Sequence, residues 1–113
     1  MKSVAALLVV LFAVSTFAAD RPLSVQQAAQ FVLSAPRPDY PLEARQKKLT
    51  GHALILVRVS ADGKVASAAI QHSTGSAILD QAAIATLRRW RFRPGHAFFY
   101  EQPLTYSSRG ASY

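Results

Sequence analysis

Cysteine is absent from this 113-residue chain. A disulfide framework, a thiol nucleophile and a lipidated N-terminal Cys are all excluded. Acidic residues are few, six against thirteen Lys and Arg, and the formal net charge is +7. Asp62, Asp80 and Glu101 are spread along the sequence, so a catalytic carboxylate pair has little support. His52, His72 and His96 lack the close spacing of a metal motif, and no Cys completes a ligand set. His52 and His72 fall on what reads as a strand pair, yet two ligands rarely suffice, and surface histidines account for all three. Ser73 stands near His72 and Asp80 without a Gly-x-Ser-x-Gly elbow around it, so Ser73-Thr74-Gly75 reads as turn chemistry. Neither an active site nor a cofactor or metal site emerges, and the chain reads as a non-enzyme. Internal repeats and low-complexity runs are also missing.

The one long apolar run, Val4 to Phe17, follows Lys2 and is broken only by Ser15 and Thr16. A basic start, a short apolar centre and small residues before Asp20 describe a secretory signal peptide over 1–18, cut after Ala18. The alternative is an uncleaved inner-membrane anchor facing the periplasm. Its apolar stretch of 14 residues, Ser15 and Thr16 included, falls short of the roughly 20 that a membrane helix needs. Cleavage removes Lys2 alone among charged residues, so the net charge falls from +7 to +6 and 113 − 18 = 95 residues remain. That suffices for one small core. Export argues against nucleic acid, so the positive charge points to anionic lipid, an acidic wall polymer or an acidic protein segment.

Residues 19–35 read as a lead-in, with Ser24 capping a short helix from Val25 to Leu33 that forms only if it docks. Pro36, Pro38 and Pro41 impose extended geometry and mark a domain boundary, giving a domain over 36–113. Pro41 suits the first helical position, with a helix from Leu42 to Leu49 ended by Gly51. His52 to Ser60 alternates, with Ala53, Ile55, Val57 and Val59 on one face. Ala61-Asp62-Gly63 is a hairpin turn, Gly63 supplying the positive φ. Val65 to His72 returns with Ala66, Ala68 and Ile70 inward. Leu79, Ala83, Leu87 and Trp90 share one face of a helix over 76–91, with Asp80 early and Arg88, Arg89 and Arg91 late, the order a helix macrodipole favours. Ala97 to Ser107 forms a last strand, where Pro103 requires an edge or a bulge. Phe98 and Tyr100 share one strand face and Phe99 takes the other. These elements predict an α+β fold in the order α-β-β-α-β, a small antiparallel sheet of about three strands with two helices on one face.

Six pieces in this order resemble a known family. They are Pro38-Asp39-Tyr40-Pro41 with Ala44, Gly51 before the Ala53–Val59 alternation, Asp62-Gly63-x-Val65, Ser73-Thr74-Gly75, Leu79-Asp80-x-Ala82-Ala83 leading to Arg89-Trp90-Arg91-Phe92-Arg93-Pro94, and Pro103-Leu104-Thr105-Tyr106. The chain resembles the C-terminal domain of the TonB family, energy transducers serving transporters of the Gram-negative outer membrane. The resemblance spans roughly Pro36 to Tyr106. A full transducer of that family carries a His in an N-terminal membrane helix and a long Pro-rich spacer. This chain has no His before His52. Ala19 to Pro38 spans at most about 70 Å when extended.

The resemblance implies a periplasmic binding module without cofactors. It would take an extended peptide of an outer-membrane TonB-dependent transporter by strand addition along Gln102, Leu104, Thr105, Tyr106 and Ser107, in siderophore- or vitamin-type uptake. Homodimerisation by strand exchange at the same edge is a further expectation. Arg88, Arg89, Arg91 and Arg93 would steer an anionic partner. The rival reading is a stand-alone envelope protein that binds peptidoglycan or anionic lipid and has no part in transduction.

Overall fold

The computed structural model describes residues 21–113, and the leader expected over Met1 to Ala18 lies outside the described residues. Alternation in the central segments produces β2 (Gly51–Val59), β3 (Val65–His72) and β5 (Phe98–Ser107). With β6 (Gly110–Ser112) they form one antiparallel sheet of order β3-β2-β5-β6. Flanking them in sequence are α1 (Val25–Ala29), β1 (Val32–Ser34), α2 (Leu42–Gln46), α3 (Ala77–Arg88) and β4 (Arg91–Phe92). The expected class and the three central strands are present. β6 and a small β1–β4 ribbon are additions.

Ala53, Ile55, Val57 and Val59 are buried as their period-2 spacing requires, together with Tyr100, Leu104 and Tyr106 on β5 and Leu79, Ala83 and Leu87 on α3. On β3 only Ala68 is buried; Ile70 is half-buried and Ala66 is exposed. The Ala61-Asp62-Gly63 turn works as its residues dictate. Gly63 takes φ 87°, and a Cβ there would meet the Phe92 carbonyl oxygen at 2.1 Å, because Phe92 N–H donates to the Gly63 carbonyl at 2.8 Å. Ser73-Thr74-Gly75 is a turn network and not a catalytic group. The Asp80 carboxylate accepts from the Ser73 hydroxyl and, at 2.9 and 2.7 Å, from the Thr74 N–H and hydroxyl. Burial pushes the Asp80 carboxyl up, but these hydrogen bonds outweigh it and hold it below the ordinary carboxylate range.

Four element boundaries differ from expectation. The lead-in helix begins at a Ser24–Gln27 capping box but ends at Ala29. Beyond it Val32 pairs with Phe92 of β4, and the Phe31 carbonyl accepts from Arg93 N–H at 2.7 Å. β-branched and aromatic residues there find strand partners that outweigh one more helical turn. Pro41 is the N-cap of α2, extended at ψ 143°, and not its first helical residue. The same helix stops at Gln46 because Lys48 turns left-handed at φ 55°. Likewise α3 stops at Arg88, which frees Trp90 and Phe92 to leave the helix line. The lead-in lies against the domain: Leu23 N–H donates to the Phe99 carbonyl at 2.9 Å.

Aromatic side chains close the far end of the core. Phe92 meets Phe98 edge-on at 5.4 Å and Tyr100 at 6.0 Å, and Phe31 lies 5.6 Å from Phe98. Phe99 does take the opposite face, half-buried with the Arg58 guanidinium 5.0 Å above its ring.

Candidate functional site

The Phe99 carbonyl faces away from β2, since it accepts from Leu23. By antiparallel alternation the backbone groups of Glu101, Pro103, Thr105 and Ser107 face the same outer side. Gln102, Leu104 and Tyr106 turn theirs to β2, opposite Ile55, Ala53 and Gly51. Their side chains are core, with exposures of 5%, 1% and 1%. Of the five residues expected on an open edge, only Thr105 and Ser107 offer outward backbone. That edge is not open: Thr105 pairs with Ser112 and Ser107 with Gly110. A two-residue turn at Ser108-Arg109 folds the chain back. Gly110 at φ 120° makes the reversal, and the Ser107 hydroxyl accepts from Arg109 N–H at 3.3 Å.

The remaining length of this edge is also guarded. Leu23 bridges to Tyr100. Pro103 has no N–H to offer, and its carbonyl accepts from Gln102 Nε2 at 3.0 Å. The opposite edge of the sheet is different. Arg58 pairs with Ser67 and Leu56 with Ala69. Alternation then aims the backbone of Ala68 and Ile70 outward, and no described strand lies across them.

The four arginines expected to act together are divided. Arg89 binds Asp39 at 3.1 Å. Arg91 donates to the carbonyls of Arg88 and Trp90 at 3.2 and 2.8 Å. Arg88 and Arg93 are exposed, with Arg93 in a separate cleft beside Phe31 and His96. A denser cationic group goes unseen in the sequence. Arg45, Lys48 and Arg109 line a cleft of about 560 Å³ with Thr50 and Ser108, and none of the three has an ion-pair partner among the described residues. Arg109 lies more than sixty positions from Arg45, and only the β6 turn brings it there. The histidines stay apart, for His72 pairs with Leu54 and not His52, while His52 Nδ1 sits 3.1 Å from the Thr105 hydroxyl.

A second cleft, of about 550 Å³, runs between α1 and the guarded stretch of β5, lined by Val25, Val32, Trp90, Tyr100, Pro103 and Tyr113. Trp90 is 5% exposed, and its ring meets Tyr113 edge-on at 4.7 Å. Tyr106 donates to the Asp39 carbonyl at 3.1 Å and packs edge-on against Tyr40 at 5.2 Å. Burial, with smaller contributions from nearby acidic groups, pushes the Tyr106 phenol up to about 12.

Comparison with known proteins gives a consistent result. The family described as Gram-negative bacterial TonB protein C-terminal matches residues 36–107. Protein tonB2 of Pseudomonas aeruginosa is 39% identical over 62 residues, 55% of this chain and 23% of that protein. Protein TonB of Vibrio cholerae is 28% identical over 75 residues, 66% of this chain and 30% of that protein. The chain thus spans about a quarter to a third of the length of these relatives. The solution NMR structure of the Pseudomonas aeruginosa TonB CTD shares the fold, with a TM-score of 0.58 at 21% identity over 66% of this chain and 81% of that one.

Proposed function

The chain belongs to the family of Gram-negative TonB C-terminal domains, and from that premise we propose that it is a periplasmic module of energy-coupled transport across the outer membrane. It captures an extended peptide of a TonB-dependent transporter by strand addition to the outer edge of β5. One observation carries this reading. The outward backbone of Thr105 and Ser107 is covered only by the three-residue β6. So short a strand makes few ladder bonds, and a longer incoming strand replaces them while adding side-chain contacts of its own. Buried Leu104 and Tyr106 hold the edge in place from behind. Main-chain pairing supplies affinity, and positively charged groups nearby raise the association rate.

The test is titration of the purified protein with such a peptide. Thr105→Pro removes an outward N–H and is expected to abolish binding. Ala68→Pro, which removes an outward N–H on β3, is expected to leave affinity unchanged. The reverse pattern would move the site to the β3 edge.

The cationic cleft of Arg45, Lys48 and Arg109 favours a second reading, contact with an acidic wall polymer or anionic lipid. Soluble wall fragments titrated in parallel decide between them. Binding of fragments that is lost in the Arg45→Gln, Lys48→Gln, Arg109→Gln triple variant, with no peptide binding, favours the envelope role.

A further inference from the structure

Tyr113 follows β6 and turns its ring into the cleft beside β5, where it lies edge-on to Trp90. Its hydroxyl accepts from Trp90 Nε1 at 3.0 Å and donates to the Pro36 carbonyl. One donor and one acceptor thus converge on a single oxygen. A phenol hydroxyl satisfies both at once; a phenylalanine or an aliphatic side chain satisfies neither. Tyr100 lines the same cleft, 1% exposed, and its hydroxyl has no hydrogen-bond partner among the described residues. Buried hydroxyls without partners are uncommon and mark a place where a ligand atom or water belongs. Tyr113 fills only part of the space, since the cleft of about 550 Å³ remains beside it. The cleft also borders the Gln102–Pro103 stretch of β5, between the Leu23 bridge and β6.

We propose that this cleft is a seat for a phenol-bearing side chain carried on an extended peptide, with Tyr113 as the chain's own placeholder. The occupant's chemistry follows from what the seat already holds: an aromatic ring on a strand at this edge, its hydroxyl bonded to Trp90 and Pro36. A tyrosine of the partner takes the ring position against Trp90, and its longer strand brings a further polar atom to Tyr100. As a statement about a partner's residue, this rests on strand addition to β5. As a statement about the seat, it stands alone.

Trp90 is the only tryptophan, so its fluorescence reports the seat directly. The full chain is titrated with 4-methylphenol, the tyrosine side chain on its own. Tyr113→Ala empties the seat and is expected to bind the probe saturably, at least tenfold tighter than wild type. Tyr113→Phe keeps the ring in place and is expected to bind as weakly as wild type. Toluene, lacking the hydroxyl, is expected to bind the emptied seat about tenfold more weakly than 4-methylphenol, the worth of roughly 1.4 kcal/mol. No fluorescence change in Tyr113→Ala, or equal affinity in wild type and variant, overturns the seat. Two extended peptides differing only by Tyr→Ala separate the two claims in the wild-type protein. Tighter binding of the tyrosine peptide supports both. Equal affinity removes the partner's tyrosine and leaves strand addition standing. Binding of neither peptide removes strand addition, and the 4-methylphenol titration still decides the seat.

Discussion

The two edges of the four-stranded sheet are built on opposite plans. Along β3 the outward backbone of Ala68 and Ile70 lies bare in an alanine-rich strand. Along β5 almost nothing is bare: Leu23 bridges one end, Pro103 removes a donor in the middle, and β6 covers Thr105 and Ser107. An edge can be managed by blocking it or by covering it, and only a cover can be exchanged. Proline cannot be lifted off, whereas a three-residue strand can. On the proposed function the covered edge, not the bare one, is the partner site. Behind it stand the buried aromatics Tyr100, Tyr106 and Trp90, which pack the edge onto the core.

The sharpest way to break this comparison is to remove the ring that anchors the cover. Trp90→Ala deletes a buried aromatic that meets both Phe92 and Tyr113. A loss of about 3–5 kcal/mol is expected, read as a drop in the urea midpoint at constant m-value. An unchanged midpoint would mean that Trp90 does not hold the covered edge to the core.

A smaller effect is expected at the exit of β3. Asp80→Asn weakens the network on Ser73 and Thr74 and should cost about 1 kcal/mol, the net worth of a typical intramolecular hydrogen bond. The sign with pH follows from the lowered carboxyl. Its contribution is fully present above the ordinary value of 3.8 and is lost as pH falls through the folded value. The gap between wild type and variant should therefore be constant near neutrality and close in acid. A gap that widened in acid would contradict the assignment. Smallest of all is Arg89→Ala. Its ion pair with Asp39 has side chains 54% and 61% exposed, so a change within about 0.5 kcal/mol is expected from thermal unfolding.

Much of the frame was legible in the residues. Strict alternation over Ala53–Val59, Asp62-Gly63 between two strand-like runs, and the Leu79–Leu87 period each depend on local spacing, and each appears where the pattern puts it. What stayed hidden depends on partners distant in sequence. Gly110-Ala111-Ser112 has little strand character of its own and becomes β6 only because β5 offers a ladder. Which of Gln102 to Ser107 face outward is fixed by register against β2, and a shift of one residue would exchange the two sets. Gln102, Leu104 and Tyr106 thus read as site residues, but their side chains are core behind the proposed edge. The cationic trio and the Tyr113–Trp90 contact share one cause, since both are assembled by the chain reversal at Ser108-Arg109.

Backbone amide hydrogen exchange, compared between the free protein and the protein saturated with an extended transporter peptide, tests the covered-edge account most directly. The account predicts that the β6 amides lose protection on binding, that Thr105 and Ser107 stay protected because a new strand replaces the old, and that Ala68 and Ile70 do not change. New protection at Ala68 and Ile70, with β6 undisturbed, would place the partner on the bare edge and contradict it.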